Sequence, residues 1–158
     1  MEVAWRRSVR SAFQPALLAR LFLVGVLVAT GLLKAQRFVE FEGTLAASGL
    51  VPPRFIPSGA VAVVLLELAT ALGLFVWASQ RLPVTVARLL FCTFISYHVW
   101  RSVMRIPLPC HCFGALFTLP PLQGIVLNVL LLLFTFPLLT DDIPARQAIS
   151  APLRLQRD

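Results

Sequence analysis

The sequence predicts an all-α integral membrane protein: a bundle of four transmembrane helices with a short interfacial helix in the first loop. Three observations predict it. Four apolar runs of about 20 residues, the length that crosses a bilayer, succeed one another between about 15 and 140. Mean hydropathy is +0.84, and 58% of the 158 residues are hydrophobic. Charged residues make up 13%, about half the share of a soluble domain. The connections between the runs are short, so the chain is read as one membrane domain over 15–140 without a second, soluble one.

The elements follow in order. Residues 1–14, with Trp5, Arg6, Arg7 and Arg10, read as a basic, partly amphipathic cytoplasmic lead-in. Span one covers about 15–35, with Arg20 near its start and Lys34 at its end. A basic segment before an apolar one also describes a signal peptide. This run is longer than a signal-peptide core and no A-x-A cleavage pattern follows it, so it is read as an uncleaved span. In the loop 36–58, Phe38, Phe41 and Leu45 recur at three to four residues, which predicts a short helix lying at the interface. Pro52, Pro53 and Pro57 are expected to stop it. Span two, about 59–79, holds a single charge, Glu67. Pro83 is placed to open span three, about 84–104, which carries Cys92, His98 and Arg101. The next loop holds Cys110-His111-Cys112-Phe113-Gly114 between proline pairs. Span four, about 122–140, contains Asn128 and Pro137, and residues 141–158 form a polar cytoplasmic tail.

The formal net charge of +7 would suggest nucleic acid in a soluble protein. Here no basic stretch is long enough to track phosphates, and nucleic-acid binding is set aside. The basic residues flank the apolar runs, where they report orientation. Arg6, Arg7, Arg10, Arg81, Arg88, Arg146, Arg154 and Arg157 fall on one side; Lys34, Arg37, Arg54, Arg101 and Arg105 fall on the other. This bias places both termini in the cytoplasm of a multi-pass bacterial inner-membrane protein. The Cys-His-Cys loop then faces the periplasm, where disulfide chemistry is permitted. Arg20 and Arg88 read as headgroup anchors.

Cys110 and Cys112 are the candidate catalytic residues. Two thiols one residue apart close only a small, strained ring. Strained, exposed disulfides suit exchange better than bracing. His98, Arg101 and Arg105 share one helical face leading to this loop, and positive charge favours the thiolate that exchange requires. Inert thiols are one alternative. Metal ligation by Cys110, Cys112 and either His111 or His98 is a weaker one, because Cys-x-x-Cys spacing and an evident fourth ligand are missing. Cys92, inside span three, reads as inert buried packing. Ala69 and Gly73 read as a small pair that permits close helix contact.

A membrane-embedded carboxylate normally has a partner or a role. Counting ~1.5 Å per residue, Glu67 and His98 both lie roughly 10 Å below the outer surface, with Asn128 at similar depth and Lys34 near the outer end of span one. Lys34, Glu67, His98 and Asn128 are therefore expected in one polar layer beneath the Cys loop, with Arg101 and His111 beside it. A structural ion pair of Glu67 with Lys34 or Arg101, and a role in proton transfer or substrate binding, are both open readings of this layer.

Several of these residues together resemble the methylamine-utilisation MauE family. They are Arg20, Gly31-Leu32-Leu33-Lys34, Phe38, Phe41, Gly49-Leu50-Val51-Pro52, Glu67-Leu68, Gly73, the Cys110 to Gly114 run and Asn128. The resemblance covers about residues 16–140 and implies a DoxX-like four-helix fold. It further implies a thiol–disulfide or electron-transfer role alongside a thioredoxin-like periplasmic partner, in maturing disulfide-containing proteins of the methylamine dehydrogenase type. The alternatives are a non-enzymatic membrane assembly factor and a quinone-associated subunit; the quinone rests on fold-level analogy alone, and the sequence fixes no cofactor.

Overall fold

The computed structural model describes residues 2–77, 80–104 and 120–140, with side chains from Ala16 onward in those ranges, Pro121 and Thr140 apart. Among them all the regular structure is helical: α1 (Glu2–Gln36), α2 (Phe38–Ala47), a 3-10 turn (Pro53–Phe55), α3 (Ile56–Val76), α4 (Arg81–Val103), α5 (Pro121–Leu133) and α6 (Phe136–Thr140). Four stretches are long and apolar enough to cross a membrane: Ala16–Gln36, Pro53–Val76, Arg81–Val103 and Leu122–Leu139. The protein is a multi-pass, four-helix membrane protein.

Local chemistry sets the boundaries. α1 is one continuous helix of 35 residues that runs through Pro15, and its membrane-crossing part is Ala16–Gln36. The chain bends at Arg37, whose guanidinium reaches Glu40 at 3.1 Å. α2 is the helix expected in the first loop, but the prolines do not stop it. It ends at Ala47, the Ser48 hydroxyl bonds the Leu45 carbonyl, and Gly49 takes φ +66°, a left-handed conformation that suits glycine. Pro53 and Pro57 instead open the next turns, where a missing N–H is no loss. α3 consequently begins and ends about three residues before the expected span. The fourth span is broken between α5 and α6. Pro137 cannot donate to Leu133, and the Thr135 hydroxyl takes the Leu132 carbonyl at 2.6 Å.

α1 packs mainly on α3, and α4 on α5; α3 and α4 also touch, and α6 closes against α1 and α4. Leu23 and Leu27 of α1, Ala71 and Leu74 of α3, Val84 and Phe91 of α4 and Leu131 of α5 form the apolar core. They occupy the end of the bundle where α1 is early, α3 late and α4 early. The opposite end is polar inside: Thr30, Lys34, Glu67, His98, Arg101 and Asn128 are all buried. Leucines and phenylalanines such as Leu18, Leu65, Leu72, Phe75 and Leu89 point outward. Hydrocarbon removes the penalty for exposing them, and it also removes the hydrophobic drive between helices, so close packing at small residues must hold the bundle.

Two packing expectations change. Gly73 does approach α4: a Cβ there would sit 3.3 Å from Pro83. Ala69 is exposed and takes no part. Cys92 is exposed rather than buried, because the inward face of α4 runs through Ala87, Phe91, His98 and Arg101. The Arg88 guanidinium lies 4.8 Å from the Phe136 ring, tying α4 to α6.

Candidate functional site

The polar layer is built by helix direction. α1 delivers Lys34 in its last turn, α3 delivers Glu67 at mid-helix, α4 brings His98 and Arg101 near its end, and α5 brings Asn128 after two turns. Lys34 Nζ meets Glu67 Oε1 at 2.6 Å, with both side chains 1% exposed. Lys34, Glu67 and Asn128, with Thr30 and Phe94, line one internal cavity of about 10 Å³.

Aromatic faces complete the surroundings of the ammonium. Lys34 Nζ is 5.1 Å from the Phe94 ring centroid and 5.8 Å from that of Phe41. A cation over aromatic faces in a dry site gains ~2 kcal/mol. This partly offsets the cost of taking the ion pair out of water.

His98 is fully buried and is seated on Gly124, where no other residue leaves room for the imidazole. Asn128 donates to the Gly124 carbonyl at 2.8 Å, so α5 holds both the histidine seat and the amide. Tyr97 stands edge-on to His98, with ring centroids 5.9 Å apart, and the Arg101 guanidinium lies 5.9 Å from the Tyr97 ring. Among the described residues, Glu67 Oε2, Asn128 Oδ1 and both His98 nitrogens are buried without a hydrogen-bond partner. Orphaned buried polar atoms cost ~1–3 kcal/mol each, and a fold that keeps several in one layer holds unused hydrogen-bonding capacity there.

The structure thus brings Lys34, Glu67 and Asn128 around one cavity and sets His98 and Arg101 on the same end of the bundle. Cys110, His111 and Cys112 lie outside the described residues. The segment that holds them joins the end of α4 to the start of α5. Sequence reasoning passed over Phe94, Tyr97 and Trp100, although their spacing of three along span three marks an aromatic strip, and it passed over Gly124.

The family model for methylamine utilisation protein MauE matches residues 13–140, which include the whole polar layer and the Cys-His-Cys run. No curated protein and no solved structure matches the chain. A match over most of the length, on a four-span bundle with this buried layer, settles the family: the chain belongs to the MauE family of methylamine-utilisation membrane proteins.

Proposed function

We propose that this protein is a thiol–disulfide redox component that exchanges through Cys110 and Cys112 with a thioredoxin-like periplasmic protein, in the maturation of disulfide-containing proteins. The observation that carries the reading is the position of the Cys-His-Cys run. It joins the helix ends that carry buried His98 and Arg101 on one side and Gly124 and Asn128 on the other. A cationic neighbour favours the thiolate, and one intervening residue favours a labile disulfide.

The step balances as ordinary exchange. One cysteine thiolate attacks a disulfide sulfur of the partner and releases a partner thiolate. The second cysteine then attacks the mixed disulfide, leaving Cys110–Cys112 oxidised and the partner reduced by two electrons. The reverse sequence oxidises the partner. Both termini lie in the cytoplasm in this scheme, and the loop faces the periplasm of an inner-membrane protein.

Cys112→Ser is expected to trap a covalent adduct with the partner through Cys110, or the converse variant through Cys112, visible on a non-reducing gel and absent from the double Ser variant. No adduct from either single variant, with a fully functional double variant, would leave an assembly-factor role instead. Orientation has its own check. A membrane-impermeant maleimide on intact spheroplasts is expected to label reduced Cys110 or Cys112 and to spare Cys92, which sits on the lipid face of α4. Labelling of the pair only after permeabilisation would invert the topology.

A further inference from the structure

A second cavity, of about 430 Å³, lies between α2, α3 and α4. Small-molecule sites span ~300–1,000 Å³, so this volume suits a ligand rather than a trapped water. Its wall includes Lys34, 2% exposed, while Thr93, Ser96 and Trp100 of α4 and Leu50 of the turn after α2 are exposed at its outer side. Thr93 and Ser96 lie within a membrane-crossing helix, so the cavity borders the bilayer on that side. Phe41 and Phe94 flank the ammonium, with Tyr97 and Trp100 further along the wall. Tyr97 and Trp100 also bond across to α2 and the turn after it, to the Thr44 and Ser48 carbonyls, both at 3.4 Å, and so hold the two walls at a fixed spacing.

The chemistry of this site selects its occupant. The walls are mostly apolar, and the Thr93 and Ser96 hydroxyls already donate to the Leu89 and Cys92 carbonyls of their own helix, so the ligand must be membrane-soluble. The flanking rings favour a flat head. Lys34 has three N–H donors, one of which goes to Glu67; among the described residues no other acceptor takes the remaining two, so the head should accept a hydrogen bond. The Lys34–Glu67 pair is neutral as a unit, and an anionic head would leave net charge in an apolar interior, which is prohibitive. A neutral ring carbonyl on an apolar tail meets every requirement. An acyl chain meets only the first, and a phospholipid headgroup fails the last.

We propose that this cavity binds a membrane quinone, with a ring carbonyl on Lys34 and the tail leaving past Thr93 and Ser96. The proposal deepens the dithiol reading and rests on it for its purpose. Oxidation of Cys110 and Cys112 to a disulfide releases two electrons and two protons, and reduction of a quinone to a quinol takes up both.

The site is tested with the full-length Cys110→Ser/Cys112→Ser variant in lipid nanodiscs, where binding is read without thiol chemistry. The probe is a decyl-benzoquinone carrying a photoreactive group, competed by the unmodified quinone. Saturable labelling of α2 and α4 is expected. Thr93→Trp, which plugs the outer side of the cavity, should weaken it roughly tenfold or more, while Leu89→Trp, one turn away on the lipid face, leaves it unchanged. Ser96→Trp serves as the plug where Thr93→Trp fails to fold. Non-saturable uptake equal in all variants would reduce the effect to partitioning and overturn the site. Undiminished binding in a folded plug variant, or equal competition by decylbenzene, would overturn it as well. Binding that persists while adduct trapping fails removes the exchange reading alone; trapping without binding removes the quinone site alone.

Discussion

Glu67→Gln is expected to lower the stability of the purified protein by about 3–5 kcal/mol, because it leaves the Lys34 ammonium in a dry site without its counter-charge. The geometry leaves little room for relief. The pair meets at 2.6 Å with both side chains 1% exposed, and Lys34 is hemmed by Phe41 and Phe94. The ammonium stem starts in the last turn of α1, so reaching an aqueous surface means disturbing the contact of α1 with α3. Lys34→Met alone should cost a similar amount by stranding the carboxylate. The double variant Lys34→Met/Glu67→Leu should recover most of the loss, since an apolar pair of similar volume removes both desolvation costs. Thermal melts in detergent and unfolding by a denaturing detergent read the difference. Single variants as stable as the parent would mean that the pair is wetted and contributes nothing to holding α1 on α3.

Gly124→Ala is the second large effect expected. A Cβ at Gly124 would fall inside van der Waals contact of His98 Cε1, Nε2 and Nδ1 together. His98 has no accessible surface and cannot swing aside without moving α4 from α5. Overpacking of this kind costs about 1–3 kcal/mol, and here it also displaces the histidine near the end of α4. His98→Ala should open the space, so the double variant is expected to be more stable than the sum of the singles by about 0.5–3 kcal/mol. Strictly additive losses would place the imidazole elsewhere. Gly31→Ala is a useful contrast. Its Cβ would meet Leu68 Cδ2 at 2.9 Å, the far end of a flexible, partly buried side chain, and a smaller loss is expected.

The four spans and the residues of the polar layer were legible because polarity is rare in this sequence. Lys34, Glu67, His98 and Asn128 stand out against apolar neighbours, and counting residues along alternating helices puts them at one depth. The rotation of each helix was not legible. In a soluble bundle the buried stripe is apolar and the outer face polar; here lipid makes both faces apolar, so α4 gave no sign that Cys92 points outward. The seat of His98 on Gly124 depends on the same rotation and was missed with it. Small residues misled for a related reason: Ala69 and Gly73 have suitable spacing, yet only Gly73 meets a neighbouring helix. The break between α5 and α6 had a signal in Pro137, but an apolar run on both sides of it reads as one span. A proline's missing N–H fits the stop or the start of a helix; those after α2 are starts, and the left-handed Gly49 ends that helix.

The dithiol claim is met most directly by the reduction potential of the Cys110–Cys112 pair in the purified full-length protein. Equilibration in glutathione buffers of graded ratio, followed by alkylation and reading of the mass shift, gives that potential. The strained ring and the cationic Arg101 near the end of α4 should give a reversible two-electron transition at a potential more oxidising than about −300 mV, the limit typical of structural disulfides. A pair that stays reduced in every oxidising buffer, or that titrates below that limit as a bracing disulfide does, would contradict a role in exchange.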